Sequence, residues 1–402
     1  MLFEIVIAIV LGIGAGIITG LIPGVHINMV SALVVTSSLF LSQYFSLTGL
    51  SVFIIAMAVT HTFLDTIPAI LLGAPEAETA LSVLPGHKML LEGRGYEAIK
   101  LTVIGSLAGL VISIALFPVF FLLIPKLHEL LRPFIGWLLL AIMAYLILIE
   151  KGMHAKFWSL VIFLLSGILG IAVLAMPAIE QPLLPMLSGL FGTSMLLVSL
   201  SNKTKIPEQH INDKIAVGKQ GFKAISAGVF SGSFVSFFPG LGPAQAAVMS
   251  STFVGEVGTA GFLILIGCIS TVNMTVSLVT MHTIERARNG AVLAVMELLQ
   301  SVDMSLLLLF TLVALIAGGI ATILALFLSR IFIKVITLID YSKVCIIVLA
   351  FITLLVFLIS SWMGLLILIV STAIGIIPNI LDIKRSHAMG CLIIPVILFF
   401  IL

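Results

Sequence analysis

LTVIGSLAGLVISIALFPVFFLLIP, residues 101–125, is an apolar run without a charged side chain. As a helix, a run of this length can cross the roughly 30 Å hydrocarbon core of a bilayer. Similar runs recur along the chain, for example SLVIFLLSGILGIAVLAM at 159–176. A membrane β-barrel would instead show alternating segments of roughly ten residues, and these runs do not alternate. The sequence therefore predicts an all-α polytopic membrane protein, multi-pass in the cell membrane.

The composition supports that class. Of 402 residues, 61% are hydrophobic and 9% are charged, whereas about a quarter are charged in soluble domains. The net charge of +2 gives no indication of a nucleic-acid partner. Cys268, Cys345 and Cys391 are isolated in apolar segments, a spacing that predicts neither disulfides nor a metal site.

The two halves of the chain resemble each other. GIGAGIITGLIPGVHIN begins at Gly12, and GVFSGSFVSFFPGLGPA begins at Gly228. Aligning these two starts also pairs Gly16, Pro23 and Gly24 with Gly232, Pro239 and Gly240. We expect an internal repeat, with a first transmembrane repeat at 1–200, a polar linker at 201–217 and a second repeat at 218–402.

The distribution of basic residues predicts which loops face the cytoplasm. Basic residues collect at 88–100, 151–156, 203–223 and 286–288, and none occur at 42–48, 177–182 and 256–260. The first set is predicted to be cytoplasmic. Other basic residues, including Lys384 and Arg385, do not fit this alternation, so the sequence leaves open whether the repeats are parallel or inverted.

A Pro-Gly pair interrupts an apolar segment in each half. Proline removes a backbone donor, so the helix should stop there. Interrupted segments at matching places in two halves are typical of the binding site of a secondary transporter, and a restarting helix presents free N–H groups that attract anions. We expect broken or re-entrant helices of both repeats to meet near the bilayer midplane. Packing kinks are the alternative interpretation.

These interruptions supply the candidate substrate-binding residues. Gly242 can cap a helix whose first residue is Pro243, and His26 can titrate near neutral pH. The others offer backbone donors, amides or hydroxyls beside the breaks or in the polar segment STVNMTVSLVTMH. The full set is Pro23, Gly24, His26, Asn28, Pro239, Gly240, Leu241, Gly242, Pro243, Gln245, Thr271 and Asn273.

Two further residues are candidates for ion coupling. His61 and Asp65 are four residues apart and share a helix face. An ionisable residue inside a membrane segment is a functional candidate because its insertion is costly. The pair could carry a proton or face a sodium ion, and a packing hydrogen bond is the alternative. Apart from Na⁺ or H⁺, no cofactor is predicted.

The residues around the interruptions resemble a known family. GLIPGVHIN (20–28) and FFPGLGPAQAA (237–247) are similar to the Pro-Gly-Leu-Gly-Pro signatures of the TctA family, the large membrane subunit of tripartite tricarboxylate transporters. The resemblance implies movement of citrate-like organic anions with an ion gradient. It also implies a small membrane subunit and an extracytoplasmic binding protein as partners, and family roles for Pro23, Gly24 and residues 239–243.

The leading hypothesis is therefore a secondary active transporter of a small tricarboxylate-like or dicarboxylate-like anion, driven by a proton or sodium gradient. The alternative is a translocase for an anionic lipid carrier such as a polyprenyl phosphate, since the same helix starts can hold a phosphate. We expect no enzyme and no catalytic residues, because the sequence has neither H-E-x-x-H nor G-x-S-x-G.

Overall fold

Helices form the described part of the protein. The structure is a computed structural model, and it describes residues 2–22, 27–72, 83–176, 179, 182–201, 207–212, 215, 217–237, 242–243, 246–247, 249–250, 255, 257–286, 289–338, 341–381 and 383–402. Within these ranges there is no strand. The predicted all-α fold class is confirmed.

The first half contains twelve α-helices among its described residues. They are α1 Leu2–Leu21, α2 Ile27–Thr36, α3 Ser38–Leu41, α4 Leu47–Leu64, α5 Thr66–Leu72, α6 Val83–Leu91, α7 Gly95–Ala115, α8 Phe117–Leu131, α9 Ile135–Leu148, α10 Met153–Leu174, α11 Leu183–Leu187 and α12 Ser194–Ser201. A 3-10 helix, Arg132–Phe134, joins α8 to α9, and a π-helix, Ser188–Thr193, joins α11 to α12.

The described helices of the second half are numbered on from α12. They are α13 Lys219–Phe237, α14 Gly258–Ile284, α15 Gly290–Leu299, α16 Met304–Leu338, α17 Tyr341–Ile380 and α18 Gly390–Ile401. A 3-10 helix, Arg385–Met389, precedes α18. In α17 the helix is interrupted at Ser361, whose φ is 54°.

Seven segments of the described chain are long and apolar enough to cross a membrane. They are Leu2–Leu21, Leu47–Leu72, Gly95–Ala115, Met153–Leu174, Gly258–Ile284, Met304–Ile336 and Cys345–Ile380. α8 and α9 meet at 84° and together are long enough for one more span. The protein is a multi-pass membrane protein, as predicted.

The apolar run at 101–125 is divided between two helices. α7 ends at Ala115, and α8 begins at Phe117. Pro118 has no N–H and cannot continue the hydrogen-bond ladder of α7. Hydrophobicity alone could not locate this break, since residues on both sides of it are apolar.

A glycine stripe joins α1 to α4. A Cβ added at Gly12 would meet the carbonyl oxygen of Phe53 at 2.5 Å and the Cβ of Ala56 at 2.8 Å. One added at Gly16 would meet the carbonyl oxygen of Met57 at 2.7 Å. Small residues of this kind let two helix backbones approach closely in membranes. Because the residue numbers rise together, α1 and α4 are parallel.

The same arrangement joins α13 to α14. A Cβ at Gly228 would meet the Cβ of Cys268 at 2.7 Å and the carbonyl oxygen of Leu265 at 3.3 Å, and one at Gly232 would meet the carbonyl oxygen of Ile269 at 2.9 Å. Both glycines align with the pair in α1. Their contact positions in α14, which are 265, 268 and 269, have the same spacing as positions 53, 56 and 57 in α4. Both helix pairs therefore use one contact register.

α4 and α14 run in opposite directions. The hydroxyl of Thr62 lies 3.3 Å from that of Thr271. Further along the same span, in α5, Thr66 accepts a hydrogen bond from Thr102 at 3.3 Å, and the backbone of Thr102 packs on Gly267. Residue numbers therefore rise along α4 and α5 in the direction in which they fall along α14. The starts of α4 and α14 lie at opposite ends of the bundle.

The directions of α7 and α14 correct one prediction from the charge pattern. The two helices are parallel, because Ser106 Oγ donates to Gly267 O at 3.1 Å and, further along both helices, Ser113 Oγ lies 2.8 Å from Thr275 Oγ1. The basic residues at the start of α7 and Arg286 after the end of α14 therefore lie at opposite ends of the bundle, so the segments 88–100 and 286–288 cannot both be cytoplasmic as predicted. Loop charges failed here because a few basic residues in a loop are a weak signal.

The linker docks at the start of α7. His210 N donates to Gly93 O at 2.8 Å, and Gln209 Nε2 donates to Leu90 O at 2.7 Å.

Two close helix contacts join the first half of the chain to the second. Gly170 of α10 packs on the carbonyl of Cys391 in α18, and Gly375 of α17 packs on the carbonyl of Leu190 in the π-helix. α10 and the π-helix belong to the first half, whereas α17 and α18 belong to the second. The two halves therefore interlock.

Candidate functional site

The candidate site lies at the junction of α4 and α5. α4 ends at Leu64, and α5 begins at Thr66. Asp65 between them keeps helical angles, and the two helices form one span, Leu47–Leu72. Pro68 lacks the N–H that would bond to the carbonyl of Leu64, so one hydrogen bond of the helix is missing here. His61 and Asp65 are 1% and 2% exposed, so the predicted intramembrane pair is buried beside this missing hydrogen bond.

A hydrogen bond from α1 orients the imidazole of His61. Its Nδ1 lies 3.2 Å from Thr19 Oγ1, and Thr19 Oγ1 donates its single proton to the carbonyl of Gly16 at 3.3 Å. The tautomer of the ring decides whether Nδ1 or the hydroxyl donates in this pair. In either case the contact joins α1 to α4 and fixes the orientation of the ring.

The end of α1 lies beside this pair. Gly20 packs against the backbone of His61 and Asp65, with an added Cβ 3.3 Å from the amide nitrogen of Asp65. α1 ends at the next residue, Leu21. The buried His61 and Asp65 are therefore next to a helix end.

Hydroxyl groups continue the polar region across the two halves. Thr62 meets Thr271 of α14, and Thr66 meets Thr102 of α7. All four side chains are almost completely buried. Thr271 therefore faces α4, close to the predicted ion-coupling pair.

Asn273 lies on another face of α14. Residues two apart on a helix point about 200° from one another, so Asn273 is turned away from the side on which Thr271 meets α4. Asn273 is 3% exposed, and its Oδ1 has no hydrogen-bond partner in the described part of the chain. Ser277 Oγ donates to the backbone carbonyl of Asn273 at 2.6 Å. The sequence grouped Thr271 with Asn273, but the structure gives them different neighbours.

Three other predicted substrate residues can be located. Ala246 N donates to Gly242 O at 3.1 Å, and Pro243 is helical, so Gly242 occupies the N-cap position and Pro243 the first helical position, as predicted. Asn28, in the first turn of α2, lies against Gly290 at the start of α15. Asn28 thus joins a first-half helix to a second-half helix.

The remaining candidates lie outside the described residues. They are Pro23, Gly24, His26, Pro239, Gly240, Leu241 and Gln245. Their roles stay predictions. In the described part of the chain no group of three or more His, Cys, Asp and Glu side chains could hold a metal ion.

The sequence analysis missed a second set of buried polar residues. Arg385 and His387 are 4% and 1% exposed, and they lie in the 3-10 helix before α18. His87 of α6 is 3% exposed, and its Nδ1 lies 3.4 Å from the carbonyl of Ile70. The one sign in the sequence was that Arg385 did not fit the alternation of basic loops.

Interlocked halves, seven apolar spans in the described chain and buried polar residues between them define a polytopic membrane protein with a polar interior. The family model of the tripartite tricarboxylate transporter TctA family matches residues 6–390. The chain belongs to that family, as the sequence resemblance predicted. The family is one of transporters, which agrees with the interpretation that this chain is not an enzyme.

A relative of similar length matches nearly the whole chain. The chain is 31% identical over 404 residues to an uncharacterized protein of Methanocaldococcus jannaschii, with 98% of each chain covered. No solved structure matches the chain.

Proposed function

We propose that this protein is a secondary active transporter of a small organic anion, a tricarboxylate or dicarboxylate, coupled to a proton or sodium gradient. Family membership gives the transporter class. The observation that supports the coupling is the position of His61 and Asp65, buried at the junction of α4 and α5 and beside the end of α1. A titratable pair beside the end of a helix can bind or release an ion as the neighbouring helices move.

The proposed roles follow from chemistry. Asp65 supplies the carboxylate that a proton or sodium ion requires, and His61, held by Thr19, supplies a second titratable group beside it. The helix that starts at Pro243 and the Pro-Gly segments supply backbone N–H groups for the substrate's carboxylates. The described Asn28, Thr271 and Asn273, together with His26 and Gln245, supply polar contacts.

We also infer that the protein consists of two inverted repeats, 1–200 and 218–402, joined by the linker 201–217. The shared register of the α1–α4 and α13–α14 glycine contacts supports equivalence of the halves, and the opposite directions of α4 and α14 support inversion. α7 and α16 are also antiparallel. Gly318 of α16 packs on Leu110 of α7, and further along α16 Arg330 Nε donates at 3.2 Å to Tyr96 Oη, near the start of α7. Inverted repeats are a common basis of alternating access.

The family name describes tripartite transporters. We therefore propose that the chain works with a small membrane subunit and an extracytoplasmic binding protein. Co-purification with the products of neighbouring genes tests this arrangement.

Uptake by proteoliposomes tests the proposed function. The purified chain, alone and with its co-purified subunits, is reconstituted and supplied with labelled citrate or succinate under an imposed proton or sodium gradient. Uptake that exceeds that of empty liposomes and collapses with the matching ionophore is expected. The absence of carboxylate uptake under every gradient, from protein that still unfolds cooperatively, would contradict the proposal.

An apolar groove favours the lipid-carrier translocase as a second candidate. It has a volume of about 350 Å³ and lies between α7–α8 and α13. Aromatic and aliphatic side chains line it, with two serines; they include Ile112, Phe120, Phe230, Phe234, Ser226 and Ser233. Such a groove could hold a polyprenyl chain while a helix start holds its phosphate.

A thermal-shift comparison separates the two candidates. A ligand at about a hundred times its Kd stabilises a protein by roughly 2.7 kcal/mol. Stabilisation by citrate or succinate, unchanged by Phe230→Ser, supports the carboxylate transporter. Stabilisation by a polyprenyl phosphate alone, lost in Phe230→Ser, supports the lipid translocase.

A further inference from the structure

Arg385 is a buried cation that forms no salt bridge within the part of the chain that the structure describes. Its Nη1 donates to the carbonyl of Phe191 at 3.4 Å, and its Nη2 donates to Ser194 Oγ at 3.3 Å. Its Nε has no hydrogen-bond partner among the described residues. The carboxylate of Glu150 is bound instead to Lys384 at 2.9 Å and to His387 at 3.1 Å.

A buried guanidinium without an anionic partner destabilises the folded protein. Both hydrogen bonds are longer than the 2.7–3.2 Å range typical of N–H···O bonds. A buried charge that lacks a partner costs several kcal/mol. Burial lowers the pKa of Arg385 to about 10, so the guanidinium is still charged at neutral pH. The cost is not removed by loss of the proton.

Other buried polar groups lie close to Arg385 in the structure or in the sequence. The π-helix Ser188–Thr193 carries Phe191 and precedes Ser194, and π-helical turns are often found at functional sites. His387 Nδ1 is buried and has no hydrogen-bond partner within the described ranges. Arg385 is also close enough to His87 for its charge to act on that ring.

The field of Arg385 helps to keep the neighbouring imidazole uncharged. Burial lowers the pKa of His87, a hydrogen bond to Ile70 acts in the opposite direction, and the charge of Arg385 lowers the pKa further. His87 contacts the carbonyl of Ile70, which lies five residues after Asp65, or about 7.5 Å along a helix. α5 thus connects the Arg385 cluster to the proposed ion-coupling pair.

We propose that Arg385 binds a carboxylate group of the transported anion, with the π-helix at Phe191 and Ser194 holding the guanidinium in place. This inference rests on the proposed transport function. Arginine is suited to the role because its planar fork can bind both oxygens of a carboxylate. A carboxylate would supply an anion for the buried cation and an acceptor for Nε.

Binding by Arg385 variants tests this assignment. Apparent Kd values for citrate, succinate and inorganic phosphate are measured by thermal shift for wild type, Arg385→Gln and Arg385→Lys. Lys384→Gln is the matched control, since Lys384 is the cation next to Arg385 in the sequence and its side chain is 61% exposed. We expect Arg385→Gln to weaken citrate binding roughly ten- to a hundredfold, Arg385→Lys to weaken it less, and Lys384→Gln to leave it unchanged.

Ligand-free stability separates binding from folding. Removing an uncompensated buried charge should leave the melting temperature of Arg385→Gln equal to or above that of wild type. Wild-type citrate affinity in Arg385→Gln overturns the assignment, as does a loss of folding in both Arg385 variants, which indicates a structural cation. Stabilisation by phosphate but not by carboxylates overturns the carboxylate assignment.

A second variant tests whether a carboxylate of the protein itself neutralises Arg385. Asp382 is the carboxylate nearest to Arg385 in the sequence, and it lies outside the described residues. If the substrate neutralises Arg385, Asp382→Asn should keep the ligand-free melting temperature and the citrate affinity of wild type. A large loss of stability in Asp382→Asn that Arg385→Gln restores would overturn the assignment, because it would indicate an internal ion pair.

The same preparation distinguishes this inference from the proposed function. Protein that binds citrate through Arg385 but transports none under any gradient would contradict transport while supporting the site. Protein that transports citrate with an unchanged KM in Arg385→Gln would contradict the site while supporting transport.

Discussion

The hydroxyl of Thr62 in α4 lies 3.3 Å from the hydroxyl of Thr271 in α14, although the two residues are 209 positions apart. This contact marks where the central helices of the two halves cross. His61, next to Thr62, is held by Thr19 of α1. A movement of one half against the other would therefore act directly on the helix that carries the proposed ion-coupling pair.

The Thr62–Thr271 contact should have a measurable coupling energy. We expect a double-mutant cycle with Thr62→Val and Thr271→Val to give about 0.6 kcal/mol, the average for interhelical hydrogen bonds in membranes. Unfolding in mixed micelles provides the measurement. The cycle of Thr62→Val with Thr353→Val is the control, since Thr353 is exposed and bonds within its own helix. Equal coupling in both cycles would contradict a direct contact.

Replacing Asp65 should separate coupling from substrate binding. Asp65→Asn removes the ionisable group but preserves size, so we expect gradient-driven citrate uptake to fall at least about tenfold, equivalent to 1.4 kcal/mol. Citrate exchange between equal concentrations should continue. Thr66→Val is the control, because it removes a neighbouring hydroxyl without a titratable group. Equal loss of uptake and exchange in Asp65→Asn would instead indicate a structural role.

The glycine register makes a prediction about stability. A Cβ at Gly16 would lie 2.7 Å from the carbonyl oxygen of Met57, whereas a Cβ at Gly14 would meet no atom within 4 Å. Gly16→Ala should therefore destabilise the protein by about 1–3 kcal/mol. Gly14→Ala, in the same helix, should change stability by no more than about 1 kcal/mol. Similar unfolding midpoints for both variants would contradict the close α1–α4 contact.

The sequence predicted the parts of the fold that depend on local chemistry. Gly12 and Gly16 match Gly228 and Gly232 because small residues are needed wherever two backbones touch, and this requirement leaves a regular spacing. Gly242 and Pro243 begin a helix as predicted because capping is local. The sequence could not place Arg385, since its burial depends on the π-helix, which is far away along the chain.

Helix faces were harder to predict than helices. Thr271 and Asn273 were grouped because both interrupt one apolar segment with polar side chains. Their different neighbours follow from how α14 is rotated about its own axis relative to α4. The sequence does not predict this rotation, because apolar residues occur on every face of the helix. The helix is buried almost all round, so hydrophobicity could not identify its packed face.

The ion pair at Glu150 should make stability depend on pH. Burial raises the pKa of Glu150, but hydrogen bonds from Lys384 and His387 outweigh this effect and lower it overall. Burial also lowers the pKa of His387 despite its contact with Glu150. For both groups the unfolded chain binds protons more readily, so stability is present at neutral pH and falls as the pH drops.

Thermal unfolding between about pH 7 and 5 tests this sign, because an unfolded histidine titrates near pH 6.5. The melting temperature of wild type should decline as the pH falls through this range. The decline should be shallower in His387→Gln. His154→Gln is the control, since His154 is exposed, and it should follow wild type. A decline in His387→Gln as steep as that of wild type would contradict a contribution from the buried His387.

The inverted arrangement predicts opposite exposure for two matched loops. Gln43 precedes α4, and Thr259 lies at the exposed start of α14. Because α4 and α14 are antiparallel, Gln43→Cys and Thr259→Cys should react with a membrane-impermeant maleimide from opposite sides of sealed vesicles. The native Cys268, Cys345 and Cys391 are buried, so unmodified protein gives the background. Labelling of both variants from the same side would contradict inversion, since parallel halves would present both loops to one compartment.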